Sequence, residues 1–376
     1  MKASGLRRVL TIGHSYCVEL NRRLPQELAR TDGWEVVAAA PARFRGDFDW
    51  HVTQTGRDEP CRVVAVPVHC SWRIHTMLYG RALMRLLAEP WDLVHCWEEP
   101  YVVAAAQLSR AVRRNVPLVF GTFQNIVKRY PPPFAWIQRT VLRRADGMIA
   151  YGETSRAVLK AHGWSQSTCT IPAGVDTARF APDPSVRERI RYELGWAGDV
   201  PVIGFVGRFV PEKGVAQLAS ILDRLSTPWR ALFLGSGPLE TDLRVWSRKY
   251  GDRVRIQRAS HDGVPDYLNA MDVLCAPSQT TPRWREQFGR MLIEAFACGV
   301  PVVASESGEI PHVVGETGVI VPEADIDAWV EAIGALVADP GRRLDLSRRG
   351  RERAVAVYAW PVIARRHLDF FDEVIG

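Results

Sequence analysis

Residues 202–214 read VIGFVGRFVPEKG. The apolar, β-branched run over 202–206 reads as a buried strand, Gly207 breaks it, and a helix is expected to follow: the strand-loop-helix step of an α/β layer. Gly207 lets the backbone come close to a ligand. Arg208 and Lys213 straddle the start of the next helix, where the positive end of the helix dipole already favours anions. The set suits a diphosphate; the other reading of the two cations is a solvated surface pair.

The same alternation runs outward in both directions. Strands are expected near 8–12, 35–39, 62–66, 92–96, 117–121, 147–150 and 169–171, with helices near 19–30, 73–87, 101–113 and 134–144. It stops over 172–184, where PAGVDTARFAPDP has the proline and glycine density of a linker, and resumes with strands near 202–206, 231–234, 254–257, 272–276, 302–304 and 319–321. The fold class expected is therefore α/β, with two doubly wound parallel sheets facing across a cleft, in domains 1–180 and 181–359. A last helix over about 360–376 is expected to pack on the first domain.

With 376 residues the chain exceeds the size at which one core stops growing, and 47% hydrophobic with 24% charged residues is an ordinary globular mixture. The seven cysteines are odd in number and lack any Cys-x-x-Cys pair, which argues against a disulfide framework or a zinc site. A net charge of +6 without a Lys/Arg block is too weak a signal for nucleic acid. No apolar run approaches a membrane span, and the start of the chain is too polar for a secretory leader, so a cytoplasmic protein is expected.

A second segment carries paired carboxylates. In EQFGRMLIEAFACGVPVVA (286–304), Glu286 stands just ahead of a helix expected over 289–298, and Glu294 about a turn and a half inside it. One carboxylate could hold the hydroxyls of a sugar ring and the other those of a ribose, with the amides near Gly289 and Arg290 meeting a phosphate between them. Glu294, inside Met-Leu-Ile-Glu-Ala-Phe-Ala, is poorly explained as a solvated face. Gly235-Ser236-Gly237 could suggest a dinucleotide site, but Glu240 occupies the third glycine position and no acidic ribose ligand follows.

In order and spacing, 207–214, 234–239 and the Glu-x7-Glu pair with its Ala-x-x-Cys-Gly-Val-Pro-Val-Val tail resemble the retaining glycosyltransferases of family 4, which have the two-Rossmann GT-B architecture. The resemblance implies a nucleotide-diphosphate sugar as donor substrate, with no cofactor and no bound metal. It implies that Arg208 and Lys213 bind the donor diphosphate, Glu286 the sugar hydroxyls and Glu294 the ribose, within a donor site that takes in Gly207, Phe288, Gly289 and Arg290. Arg208, Lys213 and Glu286 are the expected catalytic set. The first domain departs from the pattern. Its first loop, Gly13-His14-Ser15, has a single glycine, and Thr122-Phe123-Gln124-Asn125 stands where many members have Thr-x-His. Candidates for the acceptor hydroxyl are His14, Glu98, Glu99, Gln124 and Asn125; Glu98 or Glu99 could instead cap the following helix. The basic stretch 128–144, with Phe134, Ile137, Val141 and Leu142 on one face, could touch anionic lipid at the inner face of the membrane or bury that face in its own domain. The expected activity is transfer of a sugar to an acceptor hydroxyl on a polysaccharide, glycolipid or small natural product. A non-catalytic GT-B scaffold and a sugar-nucleotide epimerase or hydrolase are the alternatives.

Overall fold

The computed structural model describes residues 6–46, 50–56, 59–196 and 198–376. Its backbone parts into two compact units, Met1–Pro172 with Trp360–Gly376, and Ala173–Ala359. In chain order the first unit holds β1 (Arg7–Ile12), β2 (Trp34–Pro41), a ribbon of β3 (Arg43–Arg45) and β4 (Trp50–Val52), β5 (Arg62–Val66), a ribbon of β6 (Val68–His69) and β7 (Leu78–Tyr79), β8 (Leu93–Cys96), β9 (Leu118–Thr122), β10 (Gly147–Ala150) and β11 (Thr168–Thr170). Seven of these make one parallel sheet in the order β11-β10-β9-β8-β1-β2-β5.

The central strands are apolar on consecutive residues because both faces of the sheet are covered. One face packs Leu10, Val94 and Phe120 against Leu83, Leu108, Ile137 and Val141, which come from helices α2 (Arg81–Ala88), α3 (Val103–Ala111) and α4 (Phe134–Arg144); α1 is Arg23–Ala29 and lies on the other face. There Val9, Leu93, Val119 and Ile149 meet Leu24 and Leu28 of α1 together with Ile363, Leu368 and Phe371 of the C-terminal helix Trp360–Ile375. After α5 (Glu153–Ala161) and β11 the first unit is complete apart from that helix.

The second unit holds α6 (Pro184–Glu193), β12 (Val202–Val206), α7 (Val215–Leu222), β13 (Arg230–Leu234), α8 (Glu240–Ser247), β14 (Val254–Gln257), α9 (Val264–Asn269), β15 (Val273–Ala276), α10 (Arg290–Ala297), β16 (Val302–Ser305), α11 (Ile310–Val314), β17 (Val319–Val321), α12 (Ile326–Ala338) and α13 (Pro340–Arg353). Its six strands are parallel in the order β14-β13-β12-β15-β16-β17. In both sheets the strand order turns back beside the first strand, between β1 and β8 and between β12 and β15. Open α/β sheets bind ligands at that switch point, beyond the carboxyl ends of the strands.

Three expectations are corrected. The helix expected over 73–87 is a short turn at Ile74–Thr76, the β6–β7 ribbon, and then α2; Gly80 ends the ribbon, with room for a Cβ blocked by the Pro67 carbonyl oxygen at 2.9 Å. The helix over 19–30 is a 3-10 turn, Glu19–Arg22, ahead of the short α1, which carries Pro25. The break between the units falls at Pro172 and not at 180, because Arg351 of α13 holds the segment after it by donating to the Thr177 and Phe180 carbonyls. Among the described residues no helix is long and apolar enough to cross a membrane.

Candidate functional site

The switch point of the second unit brings together the loops that follow β12 and β15. Lys213 ends a 3-10 turn, Pro211–Lys213, and Gly214 then begins α7 with φ +69. A Cβ on Gly214 would lie 1.8 Å from the Pro277 carbonyl oxygen, so glycine is what lets the two loops touch. Across that contact Lys213 Nζ donates to Glu286 Oε2 at 2.5 Å, and Ser278 Oγ donates to the same oxygen at 3.0 Å. The Glu286 side chain is buried, its backbone carbonyl accepts from Glu309 N at 3.0 Å, and Gly308 (φ +57) faces it so closely that a Cβ would sit 2.0 Å away. Lys213 also lies over the Trp284 ring, 5.2 Å from its centroid. Arg208 is half exposed, with Glu212 at 4.0 Å as its ion-pair partner, and Gly207 sits at the end of β12 with φ +154.

Farther along, the Phe288 ring is core, edge-on to Tyr358 at 6.0 Å, so only its backbone is left for a ligand. Gly289 caps α10, Arg290 begins it exposed, and Glu294 lies buried within it. Burial pushes the Glu294 carboxyl up to about 7, against the pull of Arg290, whose guanidinium is 3.8 Å away, and of Arg179. A buried carboxyl poised near neutrality is ready to accept paired hydroxyl donors.

The switch point of the first unit is built on the same plan. His14 follows β1 and Glu98 follows β8. Glu98, fully buried, accepts from His14 N at 2.6 Å and from Tyr79 OH at 2.8 Å, and its other oxygen meets His14 Nδ1 at 2.7 Å. Burial opposes charge on the His14 ring, but the charge and hydrogen bond of Glu98, with the charge of Glu99, outweigh it and raise the imidazole above its usual range. Two other acceptor candidates are engaged within the chain. Glu99 accepts from Thr122 Oγ1 at 2.7 Å and Phe123 N at 2.8 Å, which ties β8 to β9 and caps no helix. Gln124 donates to Tyr130 OH at 2.9 Å and accepts from Ile126 N at 3.3 Å, and Asn125 is buried beside it. The apolar face of 128–144 is also accounted for: Ile137 and Val141 are buried in the core of the first unit, with Phe134 and Leu142 packed against it. Lys128, Arg129, Trp136, Arg139 and Arg143 are among the residues that segment exposes.

Two family models match in sequence order, "Glycosyltransferase Family 4" over residues 16–179 and "Glycosyl transferases group 1" over 186–353. The chain is 30% identical over 310 residues to a GDP-mannose-dependent alpha-(1-6)-phosphatidylinositol monomannoside mannosyltransferase of Mycobacterium tuberculosis, covering 77% of this chain and 78% of that one. The chain belongs to glycosyltransferase family 4.

The enzyme of the same description from Mycolicibacterium smegmatis is 36% identical over 239 residues, 60% of this family 4 chain; the match spans 62% of the relative's length, less than two thirds. Among solved structures, sucrose-phosphate synthase from Thermosynechococcus elongatus superposes with a TM-score of 0.73 at 23% identity, covering 98% of this chain and 99% of that one. HepE from Anabaena in complex with UDP superposes with a TM-score of 0.74 at 18% identity, covering 98% and 100%. The fold is thus GT-B, and the protein is a glycosyltransferase. Sequence reasoning passed over four groups in this glycosyltransferase: Ser278 and Trp284 around Glu286, Arg179 near Glu294, and Tyr79 on Glu98. Ser278 was within reach of a sequence signal, since it stands two residues past the end of β15, where ligand loops begin.

Proposed function

We propose that the protein moves a hexosyl unit from a nucleoside diphosphate sugar to an acceptor hydroxyl with retention of anomeric configuration. The observation that carries this reading is the Lys213–Glu286 couple at the switch point of the second unit. A cation there meets the diphosphate, and a buried carboxylate beside it meets the sugar's hydroxyls. As the anomeric C–O bond breaks, its electron pair stays on the diphosphate, and Lys213 with Arg208 stabilises the growing charge. The acceptor oxygen forms the new bond and gives its proton to the departing diphosphate. Glu294 takes the ribose hydroxyls. On this reading Lys213 and Arg208 meet the charge that a metal ion would otherwise meet, and no cofactor takes part.

The mycobacterial relatives, GDP-mannose-dependent enzymes that act on a phosphatidylinositol monomannoside, support a lipid-linked acceptor. His14 and Glu98 are the acceptor side of the reading. Peripheral contact with anionic lipid at the inner face of the membrane goes with the exposed Lys128, Arg129, Trp136 and Arg139, not with the buried apolar face of α4.

The test is the melting temperature of wild type and Glu294→Ala with UDP, GDP, ADP and dTDP, followed by acceptor-dependent nucleotide release. A ligand at about 100 times its dissociation constant stabilises by about 2.7 kcal/mol. One nucleotide should stabilise wild type and lose most of that effect in the variant. Stabilisation by none at millimolar concentration overturns the donor assignment.

A further inference from the structure

The loop between β15 and α10 carries a tryptophan for which the diphosphate and ribose contacts leave no task. Residues 281–284, Thr-Pro-Arg-Trp, close on themselves: Thr281 N donates to Trp284 O at 2.7 Å, Trp284 N returns to Thr281 O at 3.3 Å, and Trp284 N also reaches Thr281 Oγ1 at 3.0 Å. The stem of this turn is fixed twice. Gln279 N donates to Glu212 O at 2.8 Å, on the loop that carries Lys213. Thr280 donates through its backbone N and its Oγ1 to the Glu323 carboxylate, both at 2.5 Å. The turn that carries the indole is therefore fixed, and the side chain itself is half-buried.

Its position is set by two distances. The Lys213 ammonium is 5.2 Å from the ring centroid and 2.5 Å from Glu286 Oε2, so the ring and the carboxylate flank one cation. A sugar diphosphate that draws Lys213 toward its phosphates leaves the indole beside the space where a pyranose would meet Glu286. A pyranose has hydroxyls at its rim and C–H groups on its faces. A carboxylate serves the first and an aromatic plane the second.

We propose that Trp284 is the stacking wall of the donor-sugar subsite, selecting a hexopyranosyl diphosphate over the bare nucleotide. This rests on the donor assignment above, and deepens it: Glu286 takes the rim of the ring and Trp284 its apolar face.

The experiment compares wild type, Trp284→Ala and Trp284→Phe by calorimetric titration with UDP and UDP-glucose and with GDP and GDP-mannose. For whichever base binds, the sugar nucleotide should lose roughly 5- to 10-fold in affinity in Trp284→Ala, while the nucleotide alone changes by less than about 2-fold. Trp284→Phe, which keeps an aromatic plane, should recover most of the loss. Equal losses for the nucleotide and its sugar form would mean that the ring acts only through Lys213, and would overturn the proposal; so would unchanged affinity for both. If wild type binds none of the four ligands, the donor assignment fails first, and the stacking wall falls with it.

Discussion

Lys213 Nζ lies 2.5 Å from Glu286 Oε2, a direct ion pair between the two groups assigned to opposite ends of the leaving bond. Each is the other's partner before any ligand arrives, and Glu286 is buried. Lys213→Ala should therefore do two things. Turnover should fall by about 100-fold or more, the cost of losing one preorganised donor to a developing anion. Stability should fall by about 3 kcal/mol, because the carboxylate is left buried without its cation. Adding Glu286→Gln should restore part of the melting temperature and none of the turnover. Turnover assays and thermal melts on the single and double variants separate the two effects.

On the proposed donor assignment, Glu294 should make nucleotide binding depend on pH. Its carboxyl is raised from the usual 4.5 to about 7 in the ligand-free protein, chiefly by burial. A raised folded value means that the group contributes stability fully below 4.5 and loses it as pH rises through 7. A ribose that donates two hydroxyls favours the carboxylate, so binding releases a proton. Affinity for the nucleoside diphosphate should rise from pH 6 toward 8, by up to about tenfold per unit on the acid side of 7. Glu294→Gln should flatten that dependence in calorimetric titrations at the two pH values.

His14 and Glu98 repeat, in the first unit, the cation and buried carboxylate of Lys213 and Glu286 in the second; both couples join the loop after the first strand of the sheet to the loop across the switch point. The imidazole is held at Nδ1 and the carboxylate also binds the His14 amide, so the ring cannot turn away. Followed by NMR of the imidazole, His14 should titrate above the usual 6.5. Glu98→Gln, which removes the charge that outweighs burial, should bring that titration down. Tyr79→Phe keeps the charge and should leave most of the elevation in place.

The strands were legible because burial on both faces writes continuous apolar runs, as in Val202–Val206 and Leu118–Thr122. The placement of Lys213, Glu286 and Glu294 at a strand end and a helix start was legible because their spacing there is local. Tyr79 was not, since the amphipathic period of α2 runs backward across Gly80 and disguises a ribbon as a helical turn. Arg179 sits in a proline-rich linker, and only the docking of that linker onto the second unit brings its charge to Glu294. Glu99 and Gln124 looked available to a ligand because their partners, Thr122 with Phe123 and Tyr130 with Ile126, are tertiary contacts without a spacing rule.

The C-terminal helix carries a pH liability. Burial lowers His367 to about 4, with the Ile363 carbonyl bond raising it and Arg366 lowering it. His95 of β8 lies edge-on to it at 5.9 Å, is also held neutral by burial, and meets Thr11 Oγ1 at 3.0 Å. Lowered folded values give stability that is full above 6.5 and is lost as pH falls toward and through 4. His367 alone should contribute a loss of about 2 kcal/mol at pH 5. Thermal melts from pH 7.5 to 5 should show the decline, and His367→Phe, which cannot charge, should reduce its slope.

Helix α4 separates packing from lipid contact. Val141 is fully buried among Leu108, Phe120 and Met148, whereas Trp136 is exposed on the opposite side with Arg110 5.0 Å from its ring. A carboxylate at 141 would be placed among apolar side chains, so Val141→Asp should cost more than about 3 kcal/mol and show as a lower melting temperature or loss of folded protein. Trp136→Ala removes exposed apolar area and should leave the melting temperature within about 1 °C. In sedimentation with vesicles containing anionic lipid, it is Trp136→Ala, together with Lys128→Glu, that should lower the bound fraction. Unchanged binding in that double variant, in a protein that sediments as wild type, would place any membrane contact elsewhere on the surface.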